Sequence, residues 1–103
     1  MIPVVKTIDE IRNAVKTAKK QGKTIGFVPT MGFLHEGHKS LIVRAASEND
    51  YVVVSDFVNP TQFGPNEDFE SYPRDIEKDR ALCTEAGADI KFNPEPDEMY
   101  CDP

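Results

Sequence analysis

The chain has 103 residues, room for one compact domain and a modest core. Its formal net charge of -6 argues against bulk binding of nucleic acid or of an anionic membrane, both of which need a basic face. No stretch is apolar for long enough to span a bilayer, and Met1–Lys6 turns polar too quickly for a signal peptide, so the chain is read as cytoplasmic.

From the amino terminus, Thr7–Lys20 carries Ile8, Ile11, Val15 and Ala18 at helical spacing. Thr7 with Glu10 spells a capping box, and Gly22 is a stop. Ile25–Val28 reads as a buried strand ended by Pro29, followed by the tight loop Thr30, Met31, Gly32. A second helix is expected over His35–Asn49, with Leu41, Ile42, Ala45 and Ala46 inward. Tyr51–Val58 is the strongest strand pattern, closed by Asn59-Pro60. Thr61–Tyr72 reads as loop. Pro73–Ala86 is helical again, with Ile76, Leu82, Cys83 and Ala86 apolar, and Asp89–Phe92 is a third short strand. The tail from Asn93 holds three prolines and four acids and reads as irregular. Of the two cysteines, Cys83 is expected in the core; with Cys101 it lacks a C-x-x-C spacing, so free thiols are the expectation.

The order α-β-α-β-α-β predicts one α/β domain over 1–103, a Rossmann-like parallel sheet flanked by helices. Ligands bind such sheets beyond the carboxyl ends of the strands. Pro29–His38 and Asn59–Gln62 are thereby placed on one edge. Lys39, Arg44, Arg74 and Lys78 are expected to offer a local basic patch inside an acidic whole.

Within the first junction, Gly32 and Gly37 permit positive φ or close approach of backbone to a ligand. A helix starting there aims N–H groups and a positive dipole end at a phosphate. His35 and His38, three apart, share a helical face and are suited to donate to phosphate oxygens in nucleotidyl transfer. Two histidines also suit zinc, but the spacing supplies no third or fourth ligand, and no structural metal is expected. A partly exposed loop role remains the plain alternative for either ring.

The string Val28-Pro-Thr-Met-Gly-Phe-Leu-His-Glu-Gly-His38, followed by Ser40-Leu41, resembles the ATP-binding signature of the pantothenate synthetases. Phe57-Val-Asn-Pro-Thr-Gln-Phe-Gly-Pro-Asn-Glu-Asp68 is similar to that family's second signature. Tyr72-Pro-Arg74, Glu85-Ala-Gly-Ala-Asp89 and Glu98-Met-Tyr100 match it in order. The resemblance implies a nucleotidyltransferase-type domain that uses ATP with Mg2+ to join pantoate to β-alanine through pantoyl adenylate. It implies an ATP site of Met31, Gly32, Phe33, Leu34, His35, Glu36, Gly37 and His38. His38 is implied to be catalytic with His35 assisting. Gln62 is implied to bind pantoate and the β-alanine side, with Pro29, Thr30 and Asn59 shaping the walls, and a homodimer is implied. Asp79 falls where some members hold magnesium, but its neighbours are poor ligands, so it is read as a solvated helix carboxylate.

Phe33 stands where the family has a smaller residue, and Cys101 replaces an expected proline. Asp56 replaces an expected aliphatic residue. It sits near the strand end, pairs with a base, or reflects an altered sequence. The family chain continues well beyond Pro103, so a fragment inactive alone is expected. The rival readings are another H-x-G-H nucleotidyltransferase, or a non-catalytic nucleotide-binding or dimerising domain.

Overall fold

The computed structural model describes residues 1–32, 34–57 and 76–94. The elements run β1 (Val4–Val5), α1 (Ile8–Lys20), β2 (Ile25–Thr30), α2 (Glu36–Glu48), β3 (Tyr51–Asp56), α3 (Ile76–Ala86) and β4 (Ile90–Phe92). The strands form one sheet in the order β1-β4-β3-β2, and every pairing is parallel. The α/β class expected from the alternation therefore holds, with one strand more than the sequence suggested. β1 is two residues long, too short to show any period. It is pinned by Lys91 N–H donating to Pro3 O at 3.0 Å and Asn93 N–H to Val5 O at 2.8 Å.

A parallel sheet must bury both faces, which explains the unbroken run Val52-Val53-Val54 in β3. Val52 and Val54 pack with Val28, Ile42, Cys83 and Ala86 beneath α2 and α3. Val53 points the other way and packs with Ile90, Phe92 and the α1 residues Ile8, Ile11 and Val15. Cys83 is a free, buried thiol, as expected.

α1 starts as its sequence dictates. Glu10 N–H donates to Thr7 Oγ1 at 3.1 Å, and Thr7 N–H donates back to Glu10 Oε1 at 3.2 Å. In α2 the sheet-facing stripe is Ile42, Ala45 and Ala46. Leu41 is 57 % exposed, contrary to the inward position expected for it. It is rotated about 100° from Ile42, enough to leave the narrow seam against the sheet. Ile76, also expected inward, is exposed at the start of α3.

β2 does not stop before Pro29 but runs through it to Thr30, with Pro29 opposite Ser55 and Thr30 opposite Asp56. The strand tolerates proline because, among the described residues, it lies at the sheet edge, where an N–H is dispensable. β3 closes at Asp56, and Phe57 N–H still reaches Thr30 O at 3.1 Å. Thr30, Asp56 and Phe92 thus arrive together at the carboxyl edge.

Candidate functional site at the carboxyl edge of the sheet

The turn out of β2 is built by side chains. Thr30 Oγ1 donates to Ser55 O at 2.9 Å and accepts Gly32 N–H at 3.2 Å. Gly32 has φ +83°, a backbone region where a Cβ is penalised. A Cβ at Gly32 would lie 2.5 Å from Asp56 Oδ1. The carboxylate of β3 therefore sits against the bare backbone of the turn.

Asp56 is the residue whose presence in an apolar strand the sequence left open. It lies at the strand end and is paired with a base: its Oδ2 is 2.7 Å from Lys91 Nζ. Lys91 also donates to Asn93 Oδ1. Lys91 stands opposite Val54, so it and Asp56 are diagonal neighbours on one face of the sheet.

Beyond the turn, Leu34 is buried and its N–H donates to Asp79 Oδ1 at 2.9 Å. Asp79 is only 2 % exposed. The expectation of a solvated helix carboxylate is therefore wrong. The position faces the sheet with Cys83 and Ala86, and the Leu34 amide compensates the carboxylate for lost water.

His35 is the N-cap of α2, with extended backbone at φ -138°, and only His38 lies inside the helix. The two rings meet through the cap rather than along one helical face. Gly37 N–H donates to His35 Nδ1 at 3.0 Å, and His35 N–H donates to His38 Nδ1 at 3.3 Å. This is a capping box in which imidazoles replace the usual hydroxyl and carboxyl groups. The ring centroids are 4.2 Å apart at 50°. A Cβ at residue 37 would meet His35 Cε1 at 2.9 Å, so glycine lets the His35 ring fold over the cap.

These bonds fix the tautomer. An Nδ1 that accepts an amide proton carries none, so each neutral ring holds its hydrogen on Nε2. Both histidines are thus left with one Nε2–H donor at the positive end of α2. Burial holds the pKa of His38 below the ordinary histidine range. The neighbouring His35 adds to that, and the Asp79 carboxylate opposes it.

Of the expected ATP-site residues, Met31 and Gly32 follow β2, Leu34 precedes the cap, His35 is the N-cap, and Glu36, Gly37 and His38 open α2. Pro29 and Thr30 lie just before them on β2. Phe33, Asn59 and Gln62 lie outside the described residues, as does Arg74 of the suggested basic patch. Lys39 faces Glu85 at 2.9 Å and Arg44 faces Glu48 at 3.6 Å, so each of these two cations already has a carboxylate beside it. Among the described residues no group of three or more His, Cys, Asp or Glu could hold a metal ion.

A parallel sheet between helices, with an H-x-G-H cap at its carboxyl edge, is an α/β domain of the nucleotidyltransferase type. The profile of the pantoate–β-alanine ligase family matches residues 3–102, and the chain belongs to that family. It is 62% identical over 99 residues to the pantothenate synthetase of Clostridium acetobutylicum, covering 96% of this chain and 35% of that one. It is 64% identical over 97 residues to that of Clostridioides difficile, covering 94% of this chain and 34% of that one. A pantothenate synthetase structure from Thermus thermophilus superposes with TM-score 0.85 at 54% identity, over 96% of this chain and 34% of that chain. A Francisella tularensis pantoate–β-alanine ligase, complexed with β-γ ATP and β-alanine, superposes with TM-score 0.87 at 44% identity. That match covers 99% of this chain and 39% of the other. The chain spans about a third of the length of the curated relatives it matches.

Proposed function

We propose that the chain is the ATP- and pantoate-binding portion of a pantoate–β-alanine ligase. In the first step a pantoate carboxylate oxygen attacks the α-phosphorus of ATP, the bond from that phosphorus to the α,β-bridging oxygen breaks, and pyrophosphate leaves as pantoyl adenylate forms. In the second the β-alanine amine attacks the acyl carbon, loses a proton and expels AMP. The observation that carries the reading is the H-x-G-H cap, which leaves two Nε2–H donors side by side at a helix start. Such donors match the negative charge that grows on the α-phosphate oxygens in the transition state. His38 is assigned the catalytic role and His35 a supporting one, with Met31–Gly37 around the nucleotide. Pro29 and Thr30 would wall the pantoate side with Asn59, and Gln62 would bind pantoate and β-alanine. Magnesium would come in on the nucleotide's own phosphates and offset their charge. The complete enzyme is proposed to be a cytoplasmic homodimer, and this chain alone to be inactive. Segments supplied by the longer relatives would be needed to exclude water and hold the reacting atoms together.

The test is a chimera in which these residues replace the matching third of a curated relative. It should release pyrophosphate from ATP only when pantoate is present. His38→Ala in the chimera should lower that rate about a hundredfold. Release with a different carboxylic or phosphorylated acceptor, and none with pantoate, would favour another nucleotidyltransferase. A folded chimera with no release at all would favour a non-catalytic binding domain.

A further inference from the structure

We infer that Asp79 is a positioning residue for the histidine cap, a role that rests on the site reading above. The Asp79 carboxylate reaches from α3 into the turn before α2 and accepts Leu34 N–H at 2.9 Å. Leu34 immediately precedes His35, whose own N–H goes to His38 Nδ1. A single buried carboxylate therefore anchors the backbone one amide before the His35 N–H that closes the cap. On its other flank the turn passes close to β3, where a Cβ at Gly32 would come within 2.5 Å of Asp56 Oδ1.

The energetics single this residue out. Taking a carboxylate out of water costs several kcal/mol unless charge-assisted bonds offset it. An apolar side chain would fill the same space beside Cys83 and Ala86 without that cost. What an apolar residue cannot do is accept the Leu34 amide. Asp79 also lies near enough to His38 for its charge to act on that ring, opposing the effects of burial and of His35. It thus supports the geometry of the imidazole and its electrostatic setting without touching substrate.

Two variants separate these parts. Asp79→Ala removes acceptor and charge, whereas Asp79→Asn keeps an oxygen for Leu34 N–H while losing the charge and exchanging the second oxygen for an amide NH2. In the active chimera, Asp79→Ala should lower kcat for pyrophosphate release by ten- to a hundredfold per folded molecule, the scale of a small misplacement of a catalytic group. KM for pantoate should change little, and Asp79→Asn should recover most of kcat. In the 103-residue chain, with His35 and His38 as its only histidines, proton NMR should show the His38 titration moving to lower pH in Asp79→Asn. His38→Ala serves as the control. If His38→Ala leaves kcat unchanged, the site assignment itself fails. If His38→Ala is damaging while Asp79→Ala keeps the parental kcat, only the Asp79 inference fails. Should Asp79→Ala not fold, the Asp79→Asn titration decides: a downward shift supports the inference and an unmoved midpoint overturns it.

Discussion

The Asp56 carboxylate and the Lys91 ammonium lie 2.7 Å apart on neighbouring strands, with side-chain exposures of 8% and 0%. At that depth water cannot replace either partner, and beside Asp56 the Lys91 ammonium has Asn93 Oδ1 as a further acceptor. Removing one member of such a pair costs about 3–5 kcal/mol, while replacing both by apolar residues is often neutral or stabilising. Lys91→Met should therefore shift the urea midpoint sharply downward. Asp56→Ile combined with Lys91→Val should restore it to near or above the parent. If Lys91→Met unfolds at the parental midpoint, the pair has been given too much weight.

Gly32 and Gly22 allow backbone strain to be separated from contact. Both have positive φ, +83° and +79°, but a Cβ at Gly22 meets nothing within 4 Å while one at Gly32 strikes Asp56. Gly22→Ala should cost the conformational strain alone, about 1 kcal/mol. Gly32→Ala should cost clearly more, seen as the larger fall in thermal midpoint. Equal falls would mean that the Asp56 contact relaxes at no cost.

Acid should loosen the fold through His38. Its folded pKa is lowered, first by burial and then by His35. Between that lowered value and the ordinary ~6.5, the unfolded chain binds a proton that the native chain does not. Stability from this group is thus fully present above about pH 6.5 and is lost as pH falls through the lowered value. Urea midpoints at pH 7.5 and 5 should fall further for the parent than for His38→Gln. Identical falls would remove His38 as the source.

Cys83 should be chemically silent. Burial pushes its thiol up to about 11; the Lys91 ammonium pulls the other way, and the Asp79 and Asp56 carboxylates push it higher. At pH 8 only about one thiol in a thousand would be ionised. In a Cys101→Ser background, an aromatic disulfide reagent should react slowly with native protein and rapidly in urea. Fast labelling of the native form would place Cys83 within reach of solvent.

Much of this architecture was legible because the signals were local. Thr7 and Glu10 announce a helix start within four residues, and three consecutive valines announce a strand covered on both sides. What escaped depends on contacts between distant segments. Lys91 in a three-residue strand gains meaning only when register sets it diagonal to Asp56. Asp79 looked like any polar helix residue until α3 turned it toward Leu34. Phe27 belonged to a run read as buried, yet it is 59 % exposed. It lies on the α1 side of β2, the edge strand among the described residues, while the cluster beneath α1 gathers around Val53, Ile90 and Phe92. The histidines were visible as a pair, but not their mutual cap, because spacing alone does not tell a cap from a helical turn.

Pro29 in β2 has a consequence for the company the sheet can keep. In a parallel strand, alternate residues direct their amides to opposite sides. Phe57 N–H reaches Thr30 O, so Thr30 faces β3 and Pro29 faces outward. An incoming strand would find Ile25 and Phe27 amides to pair with, then a ring instead of a donor at Pro29. Zippering along this border would stall one residue short of Thr30, where the turn toward the histidines begins. Among the described residues that border carries no further strand, and Pro29 leaves it one donor short beside the turn toward the histidines.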